Sequence, residues 1–164
     1  MLAFASSARR RRRSNLLLAA MILIIVFSIL SLDQISKYII TRNLQLNQSI
    51  PVISGIFNLT LVHNRGAAFG LLKNQLPVFI VTAIVAVVLM LFTLKNKKHK
   101  AIYAFALSLI LAGALGNLID RLFFGYVIDF LDFRIWPVFN IADSAITFGA
   151  IILGYSILTD KNAS

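Results

Sequence analysis

Apolar residues in this chain gather into four long runs separated by short polar segments. Leu16 to Leu32 is seventeen residues without a charge, and Leu76 to Leu94 is nineteen. Ala101 to Ile119 is broken only by Ser108 and Asn117, and Ile141 to Leu158 carries Asp143 near its start. Each run is close to the roughly 20 residues that an α-helix needs to cross a bilayer. The pattern predicts an all-α membrane protein of four transmembrane helices in one domain spanning 1–164. The helices are expected at about 16–40, 76–94, 101–121 and 141–159. Pro77 falls in the first turn of the second, where its missing N–H is harmless. A cleavable signal peptide is the rival reading of the first run. Such a core would be shorter and end in small residues, whereas this one runs into Asp33-Gln-Ile-Ser-Lys37.

The segment 41–75 is patterned differently. Phe57-Asn-Leu-Thr-Leu-Val-His63 alternates apolar and polar residues, which predicts a short amphipathic strand. Asn64-Arg-Gly66 breaks it, and Ala67-Ala-Phe69 returns to apolar character. A strand lying on a membrane surface forms one wall of a groove.

Composition excludes several classes. The chain is 59% hydrophobic and 13% charged, too apolar for an ordinary soluble domain. It has no cysteine, hence no disulfide framework, thiolate nucleophile or thiolate metal site. A net charge of +10 raises the question of nucleic acid, but the cations flank apolar runs, which fits membrane topology better. With the amino terminus inside, ten lysines and arginines face the cytoplasm: Arg9–Arg13, the four lysines of 95–100, and Lys161. Six face out: Lys37, Arg42, Arg65, Lys73, Arg121 and Arg134. That bias predicts both termini on the cytoplasmic side, with residues 1–14 as a solvated basic tail held by anionic lipid.

In this orientation Asp33, Asp120, Asp129, Asp132 and Asp143 all lie at or beyond the outer helix ends. Four of the six acids fall between Gly116 and Asp143, beside hydrocarbon. A charge at a helix centre there costs roughly 2.5–3.5 kcal/mol, so each one needs a task. Asn117, Asp120 and Arg121 stand at i, i+3 and i+4, on one helix face. Asn140, Asp143, Ser144 and Thr147 form a similar stripe, and Ala112, Gly116, Ala145 and Gly149 allow the two helices to approach. Asp129 lies in the loop between them. Two carboxylates in a partly dehydrated site share a proton and act together as base and acid, with no metal or other cofactor. Spacing does not decide between Asp120 and Asp129 as the partner of Asp143.

Structural roles compete with chemical ones at each position. Asp120 beside Arg121 reads equally well as an ion pair, and Asn117 with Asn140 as interhelical hydrogen-bond glue. Asp33 and Lys37, at i and i+4, suit an interfacial salt bridge better than catalysis. Asp132 has no helical partner and is expected to be solvated. His63 and His99 are isolated, so a zinc or haem site is not indicated. A small ion channel or proton-coupled transporter, using outer carboxylates to attract cations, is the alternative of a different class.

Five blocks in order resemble the bacterial lipoprotein signal peptidases (signal peptidase II). They are Asp33-Gln-Ile-Ser-Lys37, Asn64-Arg-Gly-Ala-Ala-Phe69, Gly116-Asn-Leu-Ile-Asp-Arg121, Val127-Ile-Asp-Phe130 and Phe139-Asn-Ile-Ala-Asp143. The resemblance implies an intramembrane aspartyl endopeptidase of the bacterial cytoplasmic (inner) membrane. It would remove signal peptides from diacylglyceryl-modified prolipoproteins, cutting just before the lipidated cysteine on the outer side. It places the catalytic pair at Asp129 and Asp143. Asn64, Gly66, Asn117, Arg121 and Asn140 become substrate-binding or orienting residues, Asp120 a support, and Asp33 with Lys37 a brace. The strand near 56–63 becomes part of an extracytoplasmic β cradle in the first outer loop. The expected partners are lipidated prolipoproteins and membrane lipid, with inhibition by globomycin and no nucleic acid, in a monomer.

Overall fold

A computed structural model describes residues 2–66, 76–95 and 100–161. Ala67-Ala-Phe69, Lys73 and His99 lie outside the described residues. The elements run α1 (Leu2–Asn43), β1 (Ser49–Ile53), β2 (Phe57–Asn64), α2 (Leu76–Lys95), α3 (Lys100–Phe124), β3 (Val127–Asp132) and α4 (Ile141–Lys161). Among the described residues, three helices have segments long and apolar enough to cross a membrane: Arg12–Asn43, Ala101–Phe124 and Ile141–Thr159. The first helix starts far earlier than expected. The basic segment drawn above as a solvated tail is helical from Leu2, because nothing between Leu2 and Asn43 is glycine or proline and arginine is a good helix former.

Polarity is inverted relative to a water-soluble fold. Leu23 is 70% exposed and Phe27 and Phe92 74%, while Asp33, Asp120 and Asp129 are at most 1% exposed. Surrounding hydrocarbon makes the first group neutral, and the second survives only by internal pairing.

Helix α3 packs against α1, α2 and α4, most extensively against α4. Small residues set that approach. A Cβ on Gly113 would strike the backbone oxygen of Ala142, and one on Gly149 would stand 2.7 Å from the backbone oxygen of Ala106. A Cβ on Gly116 would lie 2.6 Å from Asp33 Oδ2, so this glycine makes room for a carboxylate arriving from α1. Ala112 and Ala145 are buried as the small-residue stripe requires. One apolar cluster joins Ile22, Met90, Ala104 and Leu107 inside the helices. A second, Ile40, Leu61, Ile128 and Phe130, seats the sheet on the end of α1.

The sheet is antiparallel, in the order β1-β2-β3. The strand expected near 57–63 is β2, and Gly55, at φ 75°, turns the chain between it and β1. The expected cradle lay wholly in the first outer loop; its third strand instead comes from Val127–Asp132. Asp129 is therefore a strand residue rather than a loop residue. Asp132, expected in solvent, is buried and accepts from Thr60 Oγ1 at 2.7 Å and from the Arg134 amide at 2.9 Å. His63, expected to stand alone, stacks on Tyr126 with ring centroids 3.9 Å apart.

Candidate functional site

The end of α3, strand β3 and the start of α4 converge on one point. Helix α3 stops at Gly125, whose φ of 77° and N–H bond to the Arg121 oxygen form a left-handed cap. The chain turns at once into β3. Val62 of β2 pairs with Asp129, and Asn64, two residues further on, shares the same face. Asn64 Nδ2 accordingly donates to Asp129 Oδ2 at 2.8 Å.

Helix α4 begins with a reciprocal cap. The Asp143 amide donates to Asn140 Oδ1 at 2.8 Å, and the Asn140 amide donates to Asp143 Oδ2 at 3.4 Å. This is a capping box with Asn140 at the cap and Asp143 at the third helical position. The cap and the candidate acid are thus one motif.

Three side-chain amides then direct their N–H groups at the two carboxyls. Asn64 and Asn140 donate to Asp129, the latter at 2.7 Å, and Asn117 donates to Asp143 at 2.7 Å. A donor on the oxygen side dictates each orientation. The Gly66 amide donates to Asn64 Oδ1, the Asp143 amide to Asn140 Oδ1, and Lys37 Nζ to Asn117 Oδ1. Lysine has no acceptor, so the group facing it has to be the oxygen. Asn140 Nδ2 also reaches Asn117 Oδ1 at 3.1 Å, joining the surroundings of both acids. Asn117 and Asn140 do bridge helices, but they do so by presenting donors to carboxyls.

Burial pushes the Asp129 carboxyl up from its ordinary 3.8 to about 7, and the nearby Asp143 carboxylate adds to the rise. The hydrogen bonds from Asn64 and Asn140 and the charge of Lys37 oppose it without cancelling it. Desolvation dominates because the site is dry enough to penalise a charge heavily, while each donor stabilises the ionised form by only about 1.5–3 kcal/mol.

The remaining candidates divide into two groups. Arg121 Nη2 donates to the Gly66 oxygen at 3.0 Å and Nη1 to the Asn117 oxygen at 3.2 Å, linking α3 to the end of β2. Asp120 meets a lysine from α1. Asp120 Oδ2 lies 2.8 Å from Lys37 Nζ, which also meets Asp33 Oδ2 at 2.7 Å. The salt bridge expected between Asp33 and Lys37 forms, and it is buried, at 2% side-chain exposure for Lys37 and 1% for Asp33. Gln34 belongs to the same network and carried no role in the sequence reading. Its Nε2 reaches Asp33 Oδ2 at 3.1 Å and Asp120 Oδ1 at 3.0 Å. Its place beside Asp33, directly after the apolar run Leu16 to Leu32, was the signal for it.

A cavity of about 790 Å³ opens over these groups between α2, α3 and α4. Asn64, Asn117, Arg121 and Asp143 line its polar part, and Ile110, Ile146 and Phe148 are among its apolar walls. Asp143 thus meets a space able to take an extended apolar peptide, with Asp129 buried beside the asparagines.

The chain is similar over most of its length to known proteins. The profile of the family described as Signal peptidase (SPase) II matches residues 9–159. A lipoprotein signal peptidase of Moorella thermoacetica is 55% identical over 131 residues, covering 79% of this chain and 87% of its own. One from Clostridioides difficile is 44% identical over 141 residues, covering 85% and 95%. A bacterial membrane enzyme solved by the in meso method at 2.3 Å superposes with a TM-score of 0.82 at 37% identity, covering 88% of this chain and 92% of that one. With a profile match through nearly its whole length and relatives this similar, the chain belongs to the signal peptidase II family.

Proposed function

We propose that this protein is an intramembrane aspartyl endopeptidase that removes the signal peptide from diacylglyceryl-modified prolipoproteins, with Asp129 and Asp143 as its catalytic pair. The observation that carries the reading is the pair of carboxyls held by three oriented asparagines, with Asp143, Asn64 and Asn117 lining the polar part of an apolar cavity.

The pair holds one proton. We place that proton on Asp129, where burial favours the protonated form up to about pH 7, and take Asp143 as the base beside the cavity. Asp143 takes a proton from water as the oxygen attacks the scissile carbonyl carbon. Asp129 gives its proton to the carbonyl oxygen. When the tetrahedral intermediate collapses, the C–N bond breaks, the oxygen returns its proton to Asp129, and the leaving nitrogen receives the proton held by Asp143. Free acid and free amine leave, and the pair is back in its starting state. The leaving amine is that of the lipidated cysteine. Arg121 and the Gly66 carbonyl that it holds orient the peptide backbone.

The membrane supplies the frame. All four helices cross it, α2 included, with both termini cytoplasmic and the sheet on the outer surface of the cytoplasmic membrane. There the acyl chains of the substrate remain in lipid while water reaches the acids. The chain works as a single domain, a reading supported by a cavity that helices and sheet both line.

The test is purified protein in detergent with a lipidated prolipoprotein peptide. Cleavage before the modified cysteine, blocked by globomycin and lost in both Asp129→Asn and Asp143→Asn while the variants stay inserted, is the expected result. Full cleavage by both variants overturns the assignment.

A further inference from the structure

The buried ionic group on α1 does more than join helices. Asp33 Oδ1 accepts the backbone N–H of Ala142 at 2.9 Å, and Asp120 Oδ2 accepts that of Ile128 at 3.1 Å. Ala142 immediately precedes Asp143, and Ile128 immediately precedes Asp129. Lys37 bridges the two carboxylates, at 2.7 Å from Asp33 and 2.8 Å from Asp120, and the Gln34 amide bridges them a second time. Each of the two acids is therefore tied, through one peptide bond and one carboxylate, to the same ammonium group.

We propose that Asp33, Gln34, Lys37 and Asp120 form a positioning clamp that sets the separation of Asp129 and Asp143 by holding the peptide N–H before each of them. This inference rests on Asp129 and Asp143 being the working pair. None of the four clamp residues lines the cavity; they hold the pair through backbone, and Lys37 also reaches Asp143 through the Asn117 amide. The layout explains why ions are spent in so apolar a place. A carboxylate accepts an N–H with a strong, directional bond, and one lysine fixes two such carboxylates relative to each other. An apolar contact at the same point would hold α1 to α3 without specifying where either peptide stands. Gly116 is part of the device, since any side chain there would displace Asp33 Oδ2.

Two substitutions relax the clamp without removing a titratable group: Gln34→Leu and Gly116→Ala. The charged groups around the pair are all retained in both variants: Asp33 and Lys37 from α1, Asp120 and Arg121 from α3. Asn64 and Asn140 still face Asp129. The measurement is kcat and KM for the lipidated peptide from pH 5 to 9, with a thermal melt in detergent to gauge folding. Separation of the acids weakens the repulsion that keeps the proton on Asp129, so the alkaline limb of kcat moves to lower pH. The expected result is kcat lowered about tenfold with KM within about twofold, and a limb displaced by at least about half a pH unit. A loss of folded enzyme alone would scale the whole profile and leave the limb in place. An unmoved limb in both variants overturns the clamp. Asp129→Asn and Asp143→Asn measured alongside separate the two ideas: inactive pair variants with an unmoved limb sink only the clamp, whereas active ones sink the pair reading and the clamp together.

Discussion

Replacing Asn64 with alanine isolates the balance that holds the proton on Asp129. The wild-type carboxyl stands at about 7 because burial and Asp143 outweigh the donors from Asn64 and Asn140 and the charge of Lys37. Asn64 Nδ2 bonds Asp129 Oδ2 at 2.8 Å and stabilises the ionised form. A hydrogen bond to a charged group is worth about 1.5–3 kcal/mol, and 1.36 kcal/mol corresponds to a tenfold change in proton affinity. Losing it raises the affinity about tenfold once water has replaced part of the bond. The sign is fixed: removing a donor favours the protonated acid, so the alkaline limb moves upward from about pH 7 to about pH 8. At pH 8 about a tenth of the wild-type pair holds its proton, against about half in Asn64→Ala, so the ratio of kcat at pH 8 to kcat at pH 6 rises about fivefold. The absolute rate falls as well, because Asn64 also receives the Gly66 amide. Cleavage of a lipidated peptide across pH 5 to 9 reads both quantities. A limb that stays in place or moves to lower pH refutes this account of the site.

Other substitutions probe the frame. Lys37→Met leaves two buried carboxylates facing each other without a cation and is expected to destabilise the protein by about 3–5 kcal/mol, read as a lower melting point in detergent. A melting point equal to the parent's would mean that Asp33 and Asp120 find compensation elsewhere. Gly113→Ala drives a methyl at the Ala142 backbone, which cannot rotate away, and should cost about 1–3 kcal/mol; an unchanged melting point would show that α3 and α4 separate freely. Thr60→Val removes one donor from buried Asp132 and is expected to cost about 1 kcal/mol with little effect on cleavage. Loss of cleavage without loss of stability would give β2 a direct part in catalysis.

What the sequence determined by itself is whatever hydrophobic pattern encodes over a short distance. The apolar runs mark the helices, the alternation at 57–63 marks β2, and the clustering of acids at one end of the helices marks the site. The runs and the alternation are local patterns, and the side of the acids follows from counting crossings along the chain. The tertiary structure decided which acid meets which partner. Lys37 bonds Asn117 across 80 residues, Asn64 bonds Asp129 across 65, and no spacing rule reaches that far. The same holds for β3, whose six residues become a strand because β2 offers an edge and α1 a surface to cover, a condition invisible in Val127–Asp132 alone. Asp120 meets Lys37 for a similar reason: a cation from another helix arrives in a dry interior where the pairing is strongest.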